Sequence, residues 1–364
     1  MFTSTHEAIM WKSALLLSSL ITLAACSSSP FTPQTNTANS TGFSGEQLRL
    51  IGRFDTSTRG KAQFTWPGSA VEFRFSGTRA DIKLASTGDV RFQLEVNGTV
   101  QDLWVKTGEA TYELASGLPQ GEHRIRLTRL TESFALVTTL LSDPVVDGKL
   151  LAAPAAREKR LLVIGDSITA GYGVEGADQH CHYDARTSNQ QLTYAALAAN
   201  KLNADLHAIA WSGIGVWRSY GEKTPASPSM LVRYQRTLAD DANSRWDASR
   251  YQPDAILINL GTNDYWEGAV SDDYRANMKT LIAMVQKDHA NKPVYLIVSP
   301  MLGGAQRESQ KIILGSLTGN GVQLVDLGKI ETEDGLGCDW HPNKITNQRM
   351  GDLLVTRLKA DLGW

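Results

Sequence analysis

The chain runs to 364 residues, room for two domains of ordinary size. Its 42% hydrophobic and 20% charged residues are the balance of a globular protein, which excludes a disordered or collagen-like chain. A formal net charge of -2, with no dense Lys/Arg tract, provides no basic face for releasing counterions, so no nucleic-acid partner is expected.

The first segment reads as an address rather than as part of the fold. After Lys12 the apolar stretch from Ala14 to Leu23 is too short to span a bilayer. It ends in Leu23-Ala24-Ala25-Cys26, a pattern that resembles the lipobox of bacterial lipoproteins. That likeness implies removal of residues 1–25, acylation of Cys26 and export to a membrane-anchored location. Ser27 after the cysteine, instead of Asp, implies by the same likeness the outer membrane, on its periplasmic or cell-surface face. Residues 26–45 are Ser, Thr, Asn, Pro and Gly with few apolar side chains, the composition of a flexible tether.

Residues 46–149 change to short alternating stretches. Val71 to Phe75, Arg91 to Val96 and His123 to Leu127 each alternate apolar with polar, which puts one face into a core and the other into water. Asn97-Gly98 is a hairpin signal, and Pro67-Gly68, Ser76-Gly77 and Gln120-Gly121 supply further turns. Many short strands at this spacing predict an all-β sandwich of jelly-roll type.

A linker covers Leu150 to Lys159, and an α/β domain is assigned to residues 155–364. Leu161 to Ile164 is a continuous apolar run, as expected of a strand buried on both faces of a parallel sheet, and similar runs recur at Ala255 to Leu260 and Val294 to Val298. Val322 to Leu327 is a weaker run, and Leu206 to Ala210 a short one. Helical stretches lie at Leu192 to Leu202, Tyr274 to Gln286 and Asn347 to Leu362. The alternation predicts a doubly wound, flavodoxin-like sheet whose ligands sit at the carboxyl ends of the strands.

Four segments at such ends carry chemistry. Gly165-Asp166-Ser167 presents a serine hydroxyl as the first strand leaves the sheet. Gly213, in Trp211-Ser212-Gly213, exposes a backbone N–H with no side chain in the way. Asn263, in Gly261-Thr262-Asn263-Asp264, offers an amide donor to a developing oxyanion. His341, in Cys338-Asp339-Trp340-His341, can accept a serine proton and return it to a leaving alcohol. Taken singly, each also serves as an ordinary cap, turn or loop residue; their joint occurrence in this order is what points to hydrolysis.

Together the four segments resemble the SGNH (GDSL-like) hydrolase superfamily over roughly Arg160 to Trp364. The resemblance implies Ser167 as nucleophile, His341 as base, and the Ser167 N–H, Gly213 N–H and Asn263 amide as oxyanion hole. The superfamily usually places its acid three residues before the histidine, where this chain has Cys338. The nearest carboxylate, Asp339, is expected to orient His341; the alternative is a backbone carbonyl in that place and a Ser-His dyad. Such chemistry calls for no cofactor and no metal, because the oxyanion donors supply the electrostatic stabilisation.

Adding the sandwich narrows the likeness. Phe64 to Ser69, Gly117 to His123, Gly165 to Gly176 and Cys338 to Pro342 look like carbohydrate esterase family 2, over roughly Leu48 to Trp364. This implies a jelly roll followed by an SGNH domain, and removal of acetyl groups from plant polysaccharides such as xylan, often at sugar O6. Trp217, Tyr265, Trp266 and Trp340 lie in or beside the candidate loops, and flat aromatic faces suit the C–H faces of pyranose rings. Trp266 is the preferred sugar platform.

With Cys26 acylated, Cys181 and Cys338 remain in an oxidising setting, and a disulfide between them is expected. His180 and His182 flank Cys181, but the side chains of a His-Cys-His run take divergent directions on extended chain, so no metal site is assigned there. The competing functions are a lipid or thioester hydrolase, a peptidoglycan O-acetylesterase, and a non-catalytic carbohydrate-binding lipoprotein.

Overall fold

The computed structural model describes residues 46–364, apart from 133, 135 and 271. The leader, the tether and Cys26 lie outside the described residues. Among those described, no helix is long and apolar enough to cross a membrane.

The first part of the chain forms short strands: β1 (Leu48–Ile51), β2 (Ala62–Phe64), β3 (Ala70–Gly77), β4 (Ala80–Ser86), β5 (Val90–Val96) and β6 (Thr99–Val105). They continue as β7 (Gly108–Ala115), β8 (Gly121–Arg129), β9 (Thr138–Leu140), β10 (Val145–Val146) and β11 (Lys149–Leu150). One antiparallel sheet has the order β1-β3-β8-β5-β6, with β11 also pairing with β3. The second has the order β10-β4-β9-β2, with β7 on the other side of β4. Phe73, Phe75, Phe92, Leu94, Ile125 and Leu127 from the first sheet pack on Ile82, Leu84 and Leu140 from the second. The alternation in the sequence therefore closes an apolar core between two sheets, the expected sandwich.

The second part holds β12 (Lys159–Gly165), β13 (Ala204–Ala210), β14 (Ala255–Asn259), β15 (Val294–Ile297) and β16 (Val322–Val325). All pair in parallel, in the order β13-β12-β14-β15-β16. This 2-1-3-4-5 arrangement is the flavodoxin-like sheet, whose switch point lies between its first and third strands, β12 and β14. The helices are α1 (Ser167–Ala170), α2 (Tyr194–Lys201), α3 (Met230–Arg233), α4 (Asp272–Asp288), α5 (Gly304–Gly315) and α6 (Lys344–Leu362). Ala195, Ala198 and Ala199 of α2 and Met350, Leu354 and Leu358 of α6 cover one sheet face. Met230 of α3, Met278 and Leu281 of α4 and Leu314 of α5 cover the other.

The sandwich is fastened to the α/β part by buried polar contacts. The Trp66 indole donates to the Thr237 carbonyl (2.9 Å), and Ala239 N–H donates to Thr65 Oγ1 (2.9 Å). Arg53, 2% exposed, donates to the Tyr234 and Arg236 carbonyls. Trp66 even joins the hydrophobic cluster of the α/β part, so one apolar core crosses the boundary.

Candidate active site

β12 delivers Ser167. Its last residue, Gly165, lies so close to its surroundings that a Cβ would stand 2.1 Å from Thr169 Oγ1 and 3.1 Å from the Asn259 carbonyl oxygen. Only glycine lets the strand turn out of the sheet there. The Asp166 carboxylate then accepts from Ile168 N–H (3.0 Å) and caps the one-turn α1, leaving Ser167 at its first position. Burial pushes the Asp166 carboxyl up to about 7, against the pull of the Ile168 hydrogen bond.

His341 arrives from the far end of the chain. Asn343 accepts from Ile345 N–H (3.0 Å) and Thr346 N–H (3.2 Å), which fixes the start of α6 just after the histidine. His341 Nε2 lies 2.8 Å from Ser167 Oγ. Its Nδ1 lies 3.0 Å from each of the carbonyl oxygens of Cys338 and Asp339. Carbonyls only accept, so Nδ1 carries the proton and the Nε2 lone pair faces the serine hydroxyl. Burial lowers the His341 pKa, partly offset by those two carbonyls.

The expected carboxylate bridge from Asp339 to His341 is not made. Asp339 Oδ2 accepts from the Tyr172 hydroxyl (2.6 Å) and Oδ1 lies 2.8 Å from His182 Nδ1. The cause is backbone: Asp339 (φ 49) and Trp340 (φ 60) are both left-handed, which aims the peptide carbonyls at the imidazole and the carboxylate away from it. Tyr172 stacks on the imidazole itself, with ring centroids 4.4 Å apart and planes inclined by 27°. Cys181 and Cys338 are disulfide-bonded, and Asp339 N–H donates to the Cys181 carbonyl (3.0 Å), so the histidine loop is tied down covalently beside this turn.

The oxyanion candidates come from the strands flanking β12. Gly165 is in register with Ala210 at the end of β13 and with Asn259 at the end of β14. The loops bearing Gly213 and Asn263 therefore leave the sheet on either side of Ser167. Gly213 adopts φ 78, a left-handed conformation suited to glycine. Asn263, 7% exposed, donates through Nδ2 to the Ile214 carbonyl (2.8 Å), which couples the two loops and uses one of its two amide hydrogens. The buried Asp264 carboxylate accepts from Val216 N–H (3.1 Å), Trp217 N–H (2.9 Å) and Arg218 N–H (3.1 Å). Burial raises its pKa to about 6 despite those bonds.

The four aromatic candidates part company. Tyr265 is corrected: it is 1% exposed, packs edge-on against Tyr274 and bonds Ser309 through its hydroxyl, so it cannot meet a sugar. Trp266 is half-buried, its indole N–H donating to the Glu222 carbonyl (3.0 Å) while its ring lies 5.6 Å from that of Tyr220. Trp217 is half-buried beneath the Arg218 guanidinium, 5.0 Å from the ring centroid. Trp340 is 58% exposed beside His341. Tyr220, which the sequence did not single out, is 70% exposed, and its N–H donates to the Gly213 carbonyl (2.8 Å). Tyr172 was missed too, although it sits five positions after the serine in the same glycine-rich segment.

A hydroxyl bonded to a half-buried imidazole whose Nε2 is unprotonated, with N–H donors on adjoining loops, is equipped for nucleophilic attack on an ester carbonyl. Comparison with known proteins agrees. Residues 50–154 match the family "Carbohydrate esterase 2 N-terminal", and residues 163–349 match the "GDSL-like Lipase/Acylhydrolase family". The chain is 35% identical to the Cellulase/esterase CelE of Acetivibrio thermocellus, over 86% of this chain but 39% of that protein, so it spans about two fifths of that relative's length. It is 29% identical to an acetylxylan esterase / glucomannan deacetylase of Cellvibrio japonicus, covering 82% of this chain and 86% of the relative. Among solved structures, a family two carbohydrate esterase from Clostridium thermocellum in complex with cellohexaose superposes with a TM-score of 0.83. It is 34% identical and covers 87% of this chain and 99% of that one.

Proposed function

Because the chain belongs to carbohydrate esterase family 2, we propose that it removes O-acetyl groups from plant cell-wall polysaccharides such as xylan or glucomannan. The observation that carries the mechanism is the 2.8 Å contact between Ser167 Oγ and His341 Nε2. Ser167 attacks the acetyl carbonyl as its proton passes to Nε2. The negative charge that forms on the carbonyl oxygen is met by the N–H groups of Ser167 and Gly213 and the amide of Asn263. Collapse expels the sugar oxygen, which takes the proton back from Nε2. Water activated by the same nitrogen then cleaves the acetyl-serine and releases acetate. The imidazolium formed at each step is held by the Cys338 and Asp339 carbonyls, so the pair acts as a dyad.

The names of the relatives support the substrate class, as do the exposed rings of Tyr220 and Trp340 around the site. The test is acetate release from acetylated xylan, acetylated glucomannan and O-acetylated peptidoglycan by wild type and Ser167→Ala. Release from the plant polymers by wild type alone is expected. Release from peptidoglycan alone makes the enzyme a cell-wall deacetylase of another kind, and release by Ser167→Ala removes the mechanism. The lipobox-like segment supports acylation at Cys26 and an outer-membrane anchor. Loss of labelled fatty acid from Cys26→Ser checks that part.

A further inference from the structure

The loop that follows β8 belongs to the sandwich, yet Glu132 and Phe134 of that loop reach the segment that carries Gly213. Glu132 is 2% exposed. Its Oε2 accepts from Ser212 N–H (2.5 Å) and its Oε1 from Ser212 Oγ. Ser212 immediately precedes Gly213, the oxyanion candidate. Two residues further, Phe134 packs edge-on against Trp211 on the other flank of Ser212, ring centroids 6.1 Å apart, and against Tyr183 at 4.8 Å. Arg129, fully buried, cinches the loop from within. Its guanidinium donates to the Thr131 carbonyl (2.9 Å), the Glu132 carbonyl (3.3 Å), the Leu136 carbonyl (3.2 Å) and Thr138 Oγ1 (3.1 Å).

We propose that Glu132 is a positioning residue of the esterase: by gripping both polar groups of Ser212 it sets the orientation of the Gly213 N–H in the oxyanion hole, and so makes the sandwich part of the catalytic apparatus. The proposal rests on the oxyanion role of Gly213 given above. Docking alone does not account for a carboxyl at this place. Trp66, Thr65 and Arg53 already fasten the two parts, and a buried carboxyl costs free energy unless its hydrogen bonds repay it. Burial pushes the Glu132 pKa up to about 7, against the two Ser212 bonds. Either protonation state keeps both contacts, since a neutral acid accepts Ser212 N–H through its carbonyl and donates its O–H to Ser212 Oγ. An amide can do the same, which makes glutamine a conservative replacement.

The experiment compares Glu132→Ala and Glu132→Gln with wild type on a small aryl acetate, with active serines counted by a phosphonate ester, melting temperature recorded, and inhibition by an alkyl boronic acid measured. The boronate forms a tetrahedral adduct on Ser167 whose oxygen occupies the oxyanion position. Glu132→Ala is expected to lose kcat per active serine by about 10- to 100-fold, the penalty of a misplaced catalytic group. KM should change little, and boronate affinity should fall in parallel with kcat. Glu132→Gln should retain most of both. Unchanged kcat and boronate affinity in Glu132→Ala would overturn the proposal, as would a lowered melting temperature with kcat per active serine intact. Glu132→Gln as impaired as Glu132→Ala would also overturn it. If Glu132→Ala does not fold, Glu132→Gln and Ser212→Ala decide: wild-type boronate affinity in Ser212→Ala, which loses half of the grip, refutes the role. A Ser167→Ala enzyme that still turns over would instead bring down the underlying mechanism, so the two failures are distinguishable.

Discussion

His341 leans on the peptide of Asp339 and not on its side chain: Nδ1 lies 3.0 Å from the Asp339 carbonyl oxygen, while the carboxylate is engaged by Tyr172 and His182. A carbonyl dipole fixes the tautomer and ring orientation as a carboxylate would, with less stabilisation of the imidazolium. Neutralising Asp339 should therefore cost far less than the roughly 10,000-fold loss seen when a triad acid is made neutral. Asn is the informative replacement, because it tolerates the left-handed backbone at this position (φ 49) and can still accept from Tyr172. We expect kcat of Asp339→Asn within about 10-fold of wild type. A loss of several orders of magnitude would restore the carboxylate to the mechanism.

The pH dependence follows from the same imidazole. Only neutral His341 can take the serine proton, and burial lowers its pKa below the ordinary histidine value of 6.5. Activity is therefore retained as the pH falls through 6.5 and is lost only below it, when Nε2 becomes protonated. The acid limb of kcat/KM against pH should show its inflection below 6.5. An inflection at or above that value would mean that the ionised form is favoured, contrary to the burial.

The Cys181–Cys338 disulfide joins positions 157 apart and ends at the residue whose carbonyl holds His341. Opening it frees the unfolded chain, worth about 2–4 kcal/mol for a typical disulfide. It also releases the turn that aims the Cys338 and Asp339 carbonyls at Nδ1. Cys181→Ser with Cys338→Ser should lower the melting temperature and kcat together. Calorimetry beside an aryl acetate assay checks this; a variant with unchanged melting temperature and full kcat would deny the bridge both roles.

The fold was legible wherever burial is uniform. β12, β14 and β15 are buried at every position but the first two of β12, so beyond those two their sequences are apolar runs broken by a polar side chain only at Asn259, the last residue of β14. Helix α5 escaped because two of its three buried residues are polar. Arg307 donates to the Ser299 carbonyl (2.6 Å) and Gln310 accepts from Ser299 N–H (2.9 Å), so no apolar stripe marks the helix. At the site, the strand ends carrying Ser167 and Asn263 could be read from the runs that precede them. Three features could not. The left-handed turn at Asp339 and Trp340 occurs without glycine. Tyr265 and Trp266 are neighbours, and which one turns inward depends on Tyr274 and Ser309 in later elements. Glu132 meets Ser212 across 80 positions, in a different domain.

Sugar recognition should divide from ester chemistry at Trp266. Its ring lies against the exposed Tyr220, which in turn adjoins Gly213, so the two rings form an aromatic surface leading to the oxyanion loop. Stacking of a pyranose on such a surface stabilises the polymer complex but does not touch the acetyl carbonyl. A small aryl acetate, which reaches no further than the serine, should be hydrolysed by Trp266→Ala at nearly the wild-type rate. With acetylated xylo-oligosaccharide, KM should rise by about 10-fold or more, the equivalent of roughly 1.4 kcal/mol of lost binding. Tyr220→Phe should behave as wild type and Tyr220→Ala as Trp266→Ala, because the ring face and not the hydroxyl makes the platform. Equal losses on both substrates in Trp266→Ala would show instead that the indole, through its bond to the Glu222 carbonyl, only holds the loop in place.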